Sequence, residues 1–177
     1  MKALVLYWSA TGNTEKVART IAESLNEATF DVDIEKLPAP DTLDLYDYDL
    51  VLMGTPSYQF MPPDPVIKYI KSRMKFYNER GDIKPQAPAV PGKNAAVFVT
   101  YSGPHTGVDE ATPVGKNLGQ FLAHLGFTIR GEWYTVGEFH NNQVMSTQGR
   151  LGNIIGRPNE EDLADVKQNV RQLIAAL

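Results

Sequence analysis

The sequence predicts a three-layer, doubly wound α/β domain in which five parallel strands, in the order 2-1-3-4-5, carry helices on both faces. Three observations carry this expectation. Apolar runs of strand length alternate with segments whose apolar residues recur at helical spacing. The 177 residues, 42% hydrophobic and 21% charged, suit one continuous core, so residues 1–177 read as a single domain. Right-handed crossovers between parallel strands then leave few topologies open.

The elements follow in chain order. Ala3 to Tyr7 is an unbroken apolar run, as in a strand buried on both faces. Val17, Ala18, Ile21, Ala22 and Leu25 form one stripe of a helix, with Glu15, Lys16, Arg19 and Glu23 facing water. Phe30 to Leu37 alternates apolar and polar residues, which suits an edge strand. Asp49 to Gly54 is the third strand. The preceding Asp41, Asp44 and Asp47 read as a solvated connection, with docking of a partner as the alternative. Pro62 to Pro65 opens a helix bearing Val66, Ile67, Ile70 and Met74, because first-turn amides have no partner for proline to remove.

Glu79 to Gly92 reads as a long surface loop. Asn94 to Tyr101 is the fourth strand. Thr112-Pro113 caps a helix with Leu118, Phe121, Leu122 and Leu125 on one face, and Gly126 is its left-handed stop. Phe127 to Val136 is the fifth strand. Pro158-Asn159-Glu160-Glu161-Asp162 announces the last helix, whose stripe is Leu163, Val166, Val170, Leu173, Ile174 and Leu177. In this layout the loops 9–14, 55–62, 101–112 and 137–157 all gather at the carboxyl edge of the sheet.

Composition excludes several function classes. With no cysteine, the chain has no disulfide, thiolate nucleophile or thiolate-held cluster, so redox chemistry requires a bound cofactor. A net charge of -4 argues against a sequence-independent grip on nucleic acid. The apolar run at the N-terminus is too short to insert in a membrane and lacks a cleavage pattern, so a cytoplasmic location is expected. Three scattered histidines without matched carboxylate spacing predict no metal site.

The first strand-to-helix loop carries the chemistry. Ser9, Thr11, Asn13 and Thr14 are uncharged donors, and Gly12 lets the backbone approach a ligand closely. Free amides and the helix dipole favour an anion there by about 0.3–1 kcal/mol. The loop has neither the Gly-Lys-Ser/Thr ending of a nucleotide-hydrolysing loop nor the Gly-x-Gly-x-x-Gly of dinucleotide domains. A phosphate is therefore its natural ligand, with a polar turn that binds nothing as the plain alternative.

Strand, Ser9-Ala10-Thr11-Gly12-Asn13-Thr14, then helix resembles the FMN phosphate loop of the flavodoxin family, and Gly156-Arg157-Pro158-Asn159-Glu160 before the last helix is similar to that family too. The resemblance implies a flavodoxin-like fold with non-covalent FMN as the redox centre. It also implies that the loops after the third and fourth strands hold the flavin ring. Those loops contain Pro56, Ser57, Tyr58, Gln59 and Phe60, and Thr100, Tyr101, Ser102, Gly103, His105, Thr106 and Gly107. Tyr58, Phe60 and Tyr101 are the candidate stacking rings, each with a core plug as its alternative.

Two departures bear on function. Many flavodoxins have a glycine after the first loop aromatic, which lets a peptide flip toward the reduced flavin, whereas this chain has Gln59. The glycine-bounded loop Gly103-Pro104-His105-Thr106-Gly107 looks more like that of flavodoxin-fold NAD(P)H:quinone reductases. His105 is read as a donor to the flavin or to a quinone oxygen, or as an exposed loop residue. His140 lies on a segment placed to cover the flavin as a lid, and His124 reads as a helix-surface or satisfied core residue.

The leading expectation is an electron-transfer protein with no catalytic side chain, working with redox partner proteins. The alternative is an NAD(P)H-dependent FMN oxidoreductase passing electrons to a small acceptor such as a quinone. A flavin-free interaction module is the third reading.

Overall fold

The computed structural model describes residues 1–40 and 42–177. Asp41, one of the three acids of the predicted solvated connection, lies outside the described residues. The elements are β1 (Lys2–Tyr7), α1 (Asn13–Glu27), β2 (Asp31–Lys36), β3 (Leu50–Pro56), α2 (Asp64–Arg80), β4 (Asn94–Tyr101), α3 (Thr112–His124), β5 (Thr128–Val136), α4 (Gln143–Thr147) and α5 (Glu160–Ala175). Short 3₁₀ turns precede β3 at Leu45–Asp47 and α3 at Gly107–Glu110.

All five strands are parallel, in the order β2-β1-β3-β4-β5. This is the flavodoxin-like arrangement that the sequence predicted. Alternation along each buried strand builds two cores. Leu4, Leu6, Val51, Met53, Ala95 and Val97 face α2 and α3, where Val66, Tyr77, Leu118, Phe121 and Leu122 meet them. Ala3, Val5, Leu50, Leu52, Ala96 and Phe98 face α1 and α5, meeting Val17, Ile21, Leu25, Val166 and Val170. β2 stays partly wet, as an edge strand does. A bulge between Ala95 and Ala96 leaves Arg130 unpaired in the ladder, and its Nε donates to Asn94 Oδ1 at 2.9 Å.

Several local expectations are corrected. Thr112 does not cap α3; it is the first helical residue, and its hydroxyl donates to the Val108 carbonyl at 3.2 Å. The region expected as loop from Glu79 begins later, because α2 runs on to Arg80 and stops at Gly81, whose φ of 83° is left-handed. Asp44 is not merely solvated. Its carboxylate accepts from the Tyr46 amide at 3.0 Å and the Tyr77 hydroxyl at 3.1 Å, and it pairs with Arg80. Asp47 is exposed. At the other end, Asn159 and Asp162 form a reciprocal capping box on α5.

The carboxyl edge is stitched together one residue beyond the strands. Trp8 donates to the Gly54 carbonyl at 3.0 Å, Ser57 to Thr100 at 2.9 Å and Gly137 to Tyr101 at 2.8 Å. These bonds keep the loops that leave β1, β3, β4 and β5 side by side. No helix among the described residues is long and apolar enough to cross a membrane.

Candidate functional site

A cleft of about 880 Å³ opens at that edge, within the size range of small-molecule sites. Its floor is the loop between β1 and α1. Ser9, Ala10, Thr11, Asn13 and Thr14 line it, whereas Gly12 does not. Gly12 instead makes the turn: its φ of 97° is costly for any residue with a Cβ. No side chain caps α1, so the amides of its first turn are left for a ligand. The last helix, by contrast, satisfies its own amides through the capping box.

The four donors expected to serve a phosphate are not equally free. The Ser9 hydroxyl accepts from the Gly12 amide at 3.1 Å and keeps its own proton to donate. The Thr14 hydroxyl is buried against Thr100 at 2.8 Å, tying the floor to β4. The Asn13 amide turns away to the 137–157 segment, where Nδ2 donates to the Glu138 carbonyl at 2.9 Å. Thr11 is exposed and is the loop's most available hydroxyl.

One wall is the turn after β3. Pro56, Ser57, Tyr58, Gln59 and Phe60 all line the cleft. Tyr58 and Met61 exchange backbone bonds of 3.0 Å each, closing a tight turn. Gln59 and Phe60, its two central residues, carry φ of 48° and 67°. Gln59 thus occupies the left-handed conformation in which a glycine is at ease. Trp8 packs edge-on against Tyr58, with ring centroids 5.9 Å apart, and fixes that ring at the rim. Burial pushes the Tyr58 and Tyr101 hydroxyls up, so both remain neutral donors near neutral pH.

The opposite wall follows β4. Thr100, Tyr101, Ser102, Gly103 and His105 line the cleft, while Thr106 and Gly107 are not part of its lining. The two glycines close this loop on itself: Gly107 donates to Gly103 at 3.1 Å, and a Cβ on Gly103 would meet the Gly107 carbonyl oxygen at 2.6 Å. Glu110 holds its apex, one carboxylate oxygen accepting from the amides of His105 at 2.8 Å and Thr106 at 2.7 Å. The Ser57 hydroxyl donates to the Glu110 carbonyl, so this residue joins the loops that follow β3 and β4.

Glu110, Pro104, Gly137, Glu138, Phe139, Asn142 and Met145 also line the cleft; sequence reasoning placed their loops at this edge but gave these residues no role in the site. Most of these belong to the 137–157 segment, a compact strap and not an open loop. Ser146, 1% exposed, ties it together by accepting from the Phe139 amide and donating to the Phe139 carbonyl, both at 3.0 Å. Arg150 donates to the Pro104 carbonyl at 2.8 Å, and Gly156 to the Glu138 carboxylate at 2.8 Å. His140 lines the cleft, with Nε2 3.2 Å from Asn13 Oδ1. His124 lies on α3 away from the cleft, its Nδ1 2.9 Å from the Gln120 carbonyl oxygen. Among the described residues, the cleft lining contains Glu110 and Glu138 but no lysine or arginine.

The sequence model of the family described as Flavodoxin matches residues 5–154. An uncharacterized protein of Methanocaldococcus jannaschii is 30% identical over 98% of this chain and 99% of its own length. An NAD(P)H dehydrogenase (quinone) of Methylocella silvestris is 30% identical over 88% of this chain and 78% of its own. A solved flavodoxin of a TIGR4 Streptococcus strain superposes with a TM-score of 0.70 at 18% identity, covering all of both chains, which speaks for the fold.

Proposed function

The chain belongs to the flavodoxin family, and from that premise we propose that it is an electron-transfer protein holding FMN non-covalently in the cleft at the carboxyl edge. The observation that carries this reading is the donor set. An uncapped helix N-terminus and the hydroxyls of Ser9 and Thr11 form a cradle of uncharged donors that can receive a phosphomonoester. Tyr58, Phe60 and Tyr101 offer apolar faces on the walls beside it. Bound FMN supplies the redox chemistry.

The chain's own residues bind, orient and tune. Gly12 turns the backbone so that amides converge on the phosphate position. The Thr14–Thr100 bond holds that floor at a set distance from the β4 wall. Glu110 keeps the His105 and Thr106 amides engaged and so keeps their loop in one shape. Carboxylates in the lining, with no lysine or arginine, disfavour additional negative charge in the cleft, a condition that lowers the potential of a bound redox group. Redox proteins would meet the exposed Tyr58 and Phe60 at the rim.

A second reading is an NAD(P)H-dependent reductase of quinones or similar small acceptors. The self-closing loop Gly103–Gly107 and the strap that adds Phe139 and Met145 to the cleft favour it, as does the likeness to a quinone-reducing relative. Calorimetry with FMN tests the common part: Thr11→Ala combined with Ser9→Ala should weaken binding at least tenfold, about 1.4 kcal/mol. Unchanged affinity would refute the cradle. Steady-state assay of the FMN-loaded protein with NADH or NADPH and a benzoquinone separates the readings, since rapid turnover sinks the pure carrier.

A further inference from the structure

The phosphate end of the cleft poses an electrostatic problem. A phosphomonoester brings about -1.5 to -2 charges near neutral pH. Among the described residues of the lining, the only formal charges are the carboxylates of Glu110 and Glu138. Two lining groups can become cationic, His105 and His140. His105 sits on the loop after β4, whereas His140 touches the phosphate loop itself through Asn13. Asn13 is the first residue of α1, and the strap grips it twice, through the Glu138 carbonyl and through the His140 ring.

We propose that His140 is the counter-charge of the phosphate end: its imidazolium pairs with the phosphate of FMN and makes flavin affinity depend on pH in the neutral range. The proposal rests on the FMN reading of the cleft and adds a residue, outside the floor loop, that selects FMN over unphosphorylated riboflavin. Imidazole is the side chain whose ordinary titration spans pH 5 to 8, so it is the group suited to such a switch. A charge-assisted bond in a partly enclosed cleft is worth more than a neutral one and is lost when the ring deprotonates.

Most of the neighbouring charges are engaged elsewhere. On its own strap, Glu138 accepts from the Gly156 amide through one carboxylate oxygen. On α1, Glu15 is paired with Arg19 and Lys36, and Lys16 is exposed. At the start of α5, Arg157 is paired with Asp162. On the β4 side, Tyr101 is neutral, and Glu110 is occupied by the amides of its own loop.

The test is a fluorescence titration of the flavin-free full chain with FMN and with riboflavin at pH 6 and pH 8.5, for the native protein, His140→Gln and His140→Lys. With FMN, the native protein should bind about tenfold tighter than His140→Gln at pH 6 and within about twofold of it at pH 8.5. His140→Lys should keep the advantage at both values, and riboflavin should bind all three alike. A native-to-Gln ratio that does not change with pH, or an equal loss for riboflavin, overturns the proposal. If FMN binds the native protein and His140→Gln equally, the role of His140 falls and the FMN site stands; if FMN binds neither at any pH, both fall.

Discussion

Gly54 is a position where one methyl group should cost the protein much of its stability. It lies in the buried part of β3 and pairs in register with Phe98 on β4. Its φ is not left-handed, so the backbone makes no demand for glycine there. The demand is spatial: a Cβ at this position would lie 2.0 Å from Phe98 Cε2 and 2.1 Å from Cζ. The optimum for carbon pairs is about 3.5–4.0 Å. Phe98 cannot retreat, because it is 0% exposed and is packed in the core beneath α1 and α5.

Overpacking of a closed core costs about 1–3 kcal/mol, and an overlap this deep against an enclosed ring places Gly54→Ala at the upper end, about 3 kcal/mol. Phe98→Ala alone should cost about 3–5 kcal/mol through the cavity it leaves. Together the two should cost less than their sum by about 1–3 kcal/mol, because the new methyl enters the emptied space. Urea unfolding followed by far-UV circular dichroism measures all three, provided the slope with denaturant is unchanged. A loss below about 1 kcal/mol for Gly54→Ala, or simple additivity in the double variant, would refute the packing argument.

Two further outcomes are expected. Burial pushes the Asp44 carboxyl up, but Arg80, the Tyr46 amide and the Tyr77 hydroxyl outweigh burial and hold it below the ordinary carboxylate range. A depressed folded value contributes stability above the unfolded value, about 3.9, and loses it as pH falls through the folded one. Asp44→Asn should therefore cost about 1 kcal/mol at pH 7, with the gap to the native protein closing below about pH 4 in urea titrations; a gap constant down to pH 3 would contradict this. Gln59→Gly should raise stability by about 0.5–1 kcal/mol, the left-handed strain of about 1–2 kcal/mol less the entropy glycine loses on folding. A lowered urea midpoint would show that the Gln59 side chain holds the turn.

Much of the architecture was legible because its signals are local. The apolar runs at Ala3–Tyr7 and Ala95–Val99 are long and unbroken enough to require burial on both faces, which an inner parallel strand provides. The stripes on α1 and α5 announced the face each buries. Boundaries were less secure where competing signals met. Thr112 carries the side chain of a cap, yet the chain already enters helical geometry through the 3₁₀ turn at Gly107–Glu110, so the hydroxyl turns back to Val108 instead. The short helix α4 was hidden because five residues hold too few apolar positions to establish a period.

By itself the sequence determined which segments are the five strands and the four long helices, which glycine turns the loop between β1 and α1, and that the loops after the strands share one edge. All of these follow from residues within a few positions of one another, or from the handedness of parallel crossovers. Only the tertiary structure decided how the donors of that loop are spent. Asn13 is claimed by a residue 125 positions away and Thr14 by one 86 positions away. The Glu110 grip on the amides of His105 and Thr106 and the approach of His140 to Asn13 arise for the same reason. A polar side chain takes whichever partner the packed sheet brings within about 3 Å, and no local pattern records which loop that will be.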